Sequence, residues 1–333
     1  MTESGPTPAV RRGGAETIGV DLGGTKMLVG VVDADGRIAH RRVARSAGLG
    51  AGEVLDLLDG EIRAAIDARP GAAAIGLGVP CTIDRERGLC VSAVNLPLVD
   101  VPIRERVAGR FGRPVAIDND GNAAAIAENR LGAARGARHV VLLTIGTGIG
   151  GGLILDGNPY RGFHGAGAEL GHVVVDIDGP PCQGNCPNRG CIESIASGTA
   201  LEAEAARAAA AEPDSGLGRA AAAGEPVDGR LVTALARSGD PVAVAVLETI
   251  GRRIGVALSG LANIFDPEVI VVGGGVLAAG DLLLDPAREE LRERALPPQN
   301  ETPVRAAALG ADAGMIGAAL LAADTLAATR TPA

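Results

Sequence analysis

The stretch TIGVDLGGTKMLVGVVDADG, residues 17–36, decides the fold. Two apolar runs flank a Gly-Gly-Thr turn, and Asp35-Gly36 then turns the chain into a third strand from Arg37. Short β-branched runs punctuated by glycine turns read as strand, turn and strand, a hairpin series rather than a strand-to-helix crossover. The same plan recurs at residues 140–157, VVLLTIGTGIGGGLILDG, with Asp156-Gly157 as the second turn. Two modules of one plan predict two related domains.

The chain between and beyond the modules alternates helix and strand. Val54 to Arg69 carries helical spacing and stops at Pro70-Gly71, Ala74 to Val79 is a short strand, and Ile103 to Arg110 is helical. A short strand from Val115 ends in Asp118, Asn119 and Asp120, and an Ala-rich helix follows to about Leu131. Polar residues at a strand's end often line a cleft. Further on come an Ala-rich helix from Gly198, a loop over Pro213 to Gly218, and a long helix from Pro241 to about Phe265. A buried strand over Val269 to Val272 then meets a third glycine turn, Gly273 to Gly275.

Composition narrows the partners. With 333 residues, 47% of them hydrophobic, the chain is long enough for two cores. Its net charge of -9 argues against nucleic acid and anionic membranes, which select a basic face. An aromatic content of 1% leaves no stacking surface for nucleic acid or polysaccharide. The expected partner is a small molecule. Residues 1–16 read as a disordered tail without the apolar core of a secretory signal. The longest apolar stretches, such as Val140 to Ile145, are too short to span a bilayer, so a cytoplasmic location is expected.

A glycine turn brings backbone close to a ligand and aims several N–H groups at one anion. Three in one chain suggest a polyphosphate, although each alone is equally an ordinary turn. Gly146-Thr-Gly-Ile-Gly-Gly151 matches G-x-G-x-x-G, yet a dinucleotide fold needs a helix next, and a strand and turn follow. Two of the 4 His and three of the 5 Cys gather between His164 and Cys191. Clustered cysteines in a cytosolic chain point to metal more than to disulfides.

Asp21-x-Gly-Gly-Thr-Lys26, Asn119-Asp120-x-Asn122-Ala123, Leu143-Thr-Ile-Gly-Thr-Gly-Ile-Gly-Gly151, Glu169-x-Gly-His172 and Gly190-Cys-Ile-Glu193 occur in that order. Together they resemble the sugar kinases of the ROK (repressor, open reading frame, kinase) family, and within it bacterial glucokinases. The resemblance runs from about Thr17 to Ala322. It implies an α/β fold of two ribonuclease H-like, actin-like domains closing over a sugar and ATP with Mg²⁺. The expected division is residues 17–125 plus a terminal helix at about 314–329, and residues 126–309. The resemblance also implies a homodimer or higher homo-oligomer. Sugar-responsive repressors belong to the same family, but those carry a DNA-binding segment ahead of the first glycine motif, where only a short Pro/Gly tail is found here.

The residues acquire roles on this reading. Phosphoryl transfer to a hydroxyl needs a group to take the hydroxyl proton, and Asp120 matches the family's base. The ordinary alternative is a helix N-cap, a role Asn122 is also able to fill. Asp21 would orient Mg²⁺ through water; otherwise it is a plain strand-end residue. Gly23, Gly24, Thr25 and Lys26, with Gly146, Thr147 and Gly148, would cradle phosphates, and Gly273, Gly274 and Gly275 would lie near the adenosine. Asn95, Asn119, Glu169, His172 and Glu193 would bind sugar hydroxyls, with Asn95 equally a loop-turn residue. His172, Cys182, Cys186 and Cys191 form a four-ligand set suited to a closed structural zinc site, the alternative being free thiols. The usual family pattern places the first two cysteines one residue apart, whereas Gln-Gly-Asn separates them here, so Cys182 is expected to reach around a Gly184 turn. His40, His139 and His164 are expected to be surface or structural residues, and Cys81 and Cys90 buried or free thiols. Glucose is the first substrate expected; N-acetylmannosamine, N-acetylglucosamine, mannose and fructose compete with it.

Overall fold

The protein is described here by a computed structural model covering residues 15–93 and 96–330. The decisive stretch forms β1 (Thr17–Leu22), β2 (Lys26–Val32) and, after the Asp-Gly turn, β3 (Ile38–Arg45). Then follow α1 (Ala51–Ala68), β4 (Ile75–Val79), a small antiparallel sheet of β5 (Cys81–Asp84), β6 (Leu89–Ala93) and β7 (Val99–Val101), α2 (Ile103–Phe111), β8 (Val115–Asn119) and α3 (Asp120–Arg130). The second half opens with β9 (Val140–Ile145), β10 (Ile149–Leu155) and β11 (Asn158–Tyr160). Its helices are α4 (Ile192–Ala196), α5 (Gly198–Ala211), α6 (Gly216–Ala222), α7 (Gly229–Arg237) and α8 (Pro241–Phe265). β12 (Val269–Gly273), α9 (Asp281–Arg294), β13 (Val304–Ala306) and α10 (Ala313–Arg330) complete the described chain.

Each half is built on a five-stranded sheet, ordered β3-β2-β1-β4-β8 in the first and β11-β10-β9-β12-β13 in the second. The pairings are the same in both: two antiparallel steps from the hairpins, then two parallel steps. The paired modules of the sequence are therefore the antiparallel edges of two like sheets. β1 and β4 are buried along nearly their whole length, which is why they read as continuous apolar runs rather than alternating ones.

One core lies outside the first sheet under α1 and α2, and another lies under the helices of the second half. A third, containing Ala123, Ile126, Leu142, Val271, Met315 and Ile316, fills the space between the sheets. α3 and α10 pack on one another there. Glycine makes that close packing feasible. A Cβ at Gly19 would fall on the Met315 carbonyl, one at Gly76 on the Ala318 carbonyl, and one at Gly317 on the Ala123 carbonyl.

Several expectations change. Pro213 to Gly218 is not wholly a loop, because Ser215 accepts the Gly218 N–H and starts α6. The division expected between Ala125 and Ile126 falls inside α3, a continuous helix. The apolar stretch Gly310–Ala328, with mean hydropathy 1.3, is long enough to cross a membrane by length and composition, contrary to the expectation that none is. Half of it is buried in this fold, where it covers β1 and β4 on one side and α3 on another, and that double contact accounts for its apolarity.

Candidate active site

The two halves meet at a cavity of ≈ 290 Å³. Pro80 reaches it from the end of β4, Cys81 and Thr82 from the start of β5 just beyond, Asn119 and Asp120 from the end of β8, Gly146 from the end of β9, and Gly274 from the end of β12. Ligand sites of parallel α/β sheets lie at the carboxyl ends of strands, where the backbone turns away and leaves its polar groups free. Glu169, His172 and Glu193 line the same cavity from the second half.

Asp120 is the first residue of α3. The cap is neither Asp120 nor Asn122: the Asn119 side chain accepts the N–H groups of Gly121 and Asn122 at 2.9 and 3.2 Å. With the helix end satisfied by Asn119, the Asp120 carboxylate is not required for capping and faces the cavity. Burial raises its pKa, opposed by the Gly121 N–H that it accepts at 2.9 Å.

Asp21 sits near the end of β1, and burial, reinforced by the neighbouring charge of Asp120, raises its carboxyl to about 7, against the lowering effect of Lys26. The first turn is tightened by Gly23, whose N–H donates to the Lys26 carbonyl at 3.0 Å. Ser46, which sequence reasoning missed, pins that turn by donating its hydroxyl to the Gly23 carbonyl at 2.6 Å. Thr25 and Lys26 are exposed and Gly24 partly so. In the second turn Gly146 and Gly148 line the cavity, and the Thr147 carbonyl accepts from Thr199 Oγ1 at 2.9 Å. Gly274, at φ 95°, lines the cavity between Gly273, which ends β12, and Gly275, which begins a short 3₁₀ turn. The strand β10 after Gly148 upholds the rejection of a dinucleotide motif.

The cysteine-rich segment closes the remaining side. His172 Nδ1 lies 3.5 Å from Cys182 Sγ, and Cys186 and Cys191 Sγ lie 3.9 Å apart. All four donor atoms fall within 4.8 Å of one another. A tetrahedral zinc with bonds of about 2.3 Å to sulfur and about 2.0 Å to nitrogen has S···S and N···S edges of roughly 3.8 and 3.5 Å, so the donor set suits that ion. The wider cysteine spacing is absorbed by Gly184 at φ 59°. Because Nδ1 faces the thiols, Nε2 is the His172 nitrogen left for the cavity. Glu193 accepts the Ile149 N–H at 2.7 Å and lies 3.8 Å from Cys182 Sγ, joining metal loop and glycine turn.

Asn95 lies outside the described residues. His164 is exposed, and Cys81 and Cys90 are buried free thiols as expected. Cys81 also lines the cavity, a position that the end of the parallel strand β4 would have signalled.

The profile of the ROK family matches residues 17–325. The chain belongs to the ROK family. It is 38% identical over 314 residues to the glucokinase of Thermotoga maritima, covering 91% of this chain and 95% of that protein. A ROK glucokinase of Streptomyces griseus, solved with glucose and AMPPNP, superposes with a TM-score of 0.84 at 37% identity, covering 93% of this chain and 99% of that one. The fold is thus that of ROK sugar kinases, two actin-like halves about a cleft. A ROK transcriptional regulator, a homologue of the E. coli MLC protein, also superposes at 0.84, with 27% identity, 94% of this chain and 78% of that one covered.

Proposed function

We propose that this ROK protein is an ATP-dependent hexose kinase that phosphorylates the sugar 6-hydroxyl, with glucose as its first substrate and Asp120 as general base. The observation carrying this reading is the placement of Asp120 on the cavity wall, between a polar set (Asn119, Glu169, His172, Glu193) and two glycine turns (Gly146 to Gly148, Gly274). The glucokinase relatives support the same assignment.

In the proposed reaction, the sugar hydroxyl donates its proton to Asp120 as its oxygen bonds the γ-phosphorus, and the bond from that phosphorus to the β-phosphate oxygen breaks to release ADP. Asn119, Asn95, Glu169, His172 and Glu193 hold the sugar, and ligation of a metal through Nδ1 would orient the His172 imidazole. Asp21, Gly23 to Lys26 and Gly146 to Gly148 hold the β- and γ-phosphates, and Gly273 to Gly275 lie against the adenosine. Asp21 would hold Mg²⁺, which when bound would supply charge neutralisation on the phosphates. His172, Cys182, Cys186 and Cys191 would hold zinc in a structural role, since four protein donors would leave no open position. The first sheet with α10 and the second sheet with its helices act as the two halves, whose closure excludes water from the γ-phosphate. The protein works in the cytoplasm, and it works as a homo-oligomer, for which the exposed Phe163 and Ile177 offer apolar surface.

The test is ADP release from Mg²⁺-ATP with glucose, mannose, fructose, N-acetylglucosamine and N-acetylmannosamine in parallel. The highest kcat/KM on glucose supports the assignment. A preference for an acetylated sugar leaves the mechanism and changes the substrate. Sugar binding without turnover would instead mark a sensor, as in the family's regulators.

A further inference from the structure

Outside the residues already given roles, the most buried charge pair beside the cavity joins Arg161 to Asp118. Arg161 follows β11 at the edge of the second sheet, and Asp118 is the penultimate residue of β8 in the first. Arg161 Nε and a terminal nitrogen meet Asp118 Oδ2 at 2.7 and 2.6 Å, with the side chains 15% and 3% exposed. The other carboxylate oxygen accepts the Asn119 N–H at 2.9 Å and Asn122 Nδ2 at 3.1 Å. Asp118 therefore holds the backbone of the Asn119-Asp120 pair with one oxygen and a guanidinium of the opposite half with the other.

Arg161 also begins the loop that ends in Glu169 and His172. Its carbonyl accepts the Gly167 N–H at 2.8 Å, closing the loop on itself. Gly165 presses that loop on β5 of the first half so closely that a Cβ would overlap the Ile83 carbonyl. The loop bearing two sugar-facing side chains is thus fastened to the first half at two points, one of them adjacent to Asp120.

We infer that Arg161 is a positioning residue that sets the sugar-facing loop in register with Asp120 across the junction of the halves. This rests on the kinase reading above. A guanidinium presents a planar fork of donors to one carboxylate, fixing direction as well as distance, whereas a lysine ammonium is a point charge on a flexible stem. A displacement of about 1 Å between substrate and catalytic group is enough to lower the rate by roughly 100-fold.

The test is Arg161→Lys in the full chain, with Arg42→Lys as control, because Arg42 pairs with Glu61 through two hydrogen bonds on the far side of the first sheet. Arg161→Lys is expected to keep the melting temperature and the KM for Mg²⁺-ATP, to lose about 10- to 100-fold in kcat/KM for the sugar, chiefly in kcat, and to speed amide exchange across residues 161–172. The control should leave all four unchanged. Sugar kinetics and exchange both at wild-type values in a folded Arg161→Lys protein would overturn the inference. Should Lys prevent folding, Arg161→Met with Asp118→Asn removes both charges together, and the same readouts apply. If the wild type turns over no sugar, the kinase reading fails, and amide exchange still decides whether Arg161 holds the loop.

Discussion

Asp21 lies beside Asp120, and the negative charge of Asp120 adds to burial in raising the Asp21 carboxyl from 3.8 to about 7. A carboxyl with a raised pKa binds its proton more tightly in the folded than in the unfolded state. Its contribution to stability is therefore complete below pH 3.8 and is lost as pH rises through 7. Asp21→Asn should abolish that slope: thermal melts of the unliganded proteins should coincide near pH 4 and favour the variant at pH 8. Equal melting temperatures at pH 8 would refute the burial argument. Mg²⁺-ATP should stabilise the wild type at pH 8 and leave the variant little changed.

Asp120→Asn keeps the size of the side chain and removes the proton acceptor. Because Asn119 caps α3, the fold should be retained. Sugar affinity measured by calorimetry should change little, while kcat falls by about 10²- to 10⁴-fold. A variant with wild-type kcat would dismiss Asp120 as the base.

Metal content offers an independent check on the cysteine loop. Protein purified without chelator should contain one zinc per chain by elemental mass spectrometry, and Cys191→Ser should contain far less. Loss of the ion frees the His172 ring, so the sugar KM should rise by roughly 10- to 100-fold. Full sugar affinity in zinc-free protein would show that the ion does not position His172.

The glycines under α10 predict a contrast in stability. Gly76→Ala puts a methyl group on the Ala318 carbonyl and should cost about 3 kcal/mol or prevent folding. Gly60→Ala, on the exposed face of α1 with open space around it, should stabilise by up to about 1 kcal/mol. Chemical denaturation of both variants measures the difference, and similar midpoints would show that α10 does not pack on the sheet this closely.

Legibility in the sequence followed the range of the signals. The hairpin modules and α8 were readable because glycine turns, Asp240 and Pro241 act within a few residues: the Asp240 side chain accepts the Val242 and Ala243 N–H groups, and Pro241 starts the helix as expected. The β5 to β7 sheet went unread because its strands are three to five residues long, and the alternation of Cys81-Thr82-Ile83-Asp84 in β5 is too short to stand out. At the site, the polar residues stood out by type. Pro80, Cys81 and Thr82 did not, since only the parallel pairing of β4 with β1 and β8 brings them to the cavity. Asn119 was read as a sugar ligand alone, because a run of Asp, Asn, Asp and Asn offers several capping candidates of equal propensity. Ser46 and Arg161 were missed because their partners, Gly23 and Asp118, are remote in sequence.

The Thr17 hydroxyl donates to the Ala319 carbonyl at 2.8 Å, a bond spanning 302 residues. A chain emerging from a ribosome makes the strands of the first sheet early but cannot cover their inner face until α10 has been synthesised. The strands of the second sheet are all made, ending with β13, before α10 begins. The inner, glycine-paved face of the amino-terminal sheet therefore stays uncovered by its own helix until the last described element is made. Deleting α10 should thus yield an insoluble chain rather than a truncated kinase.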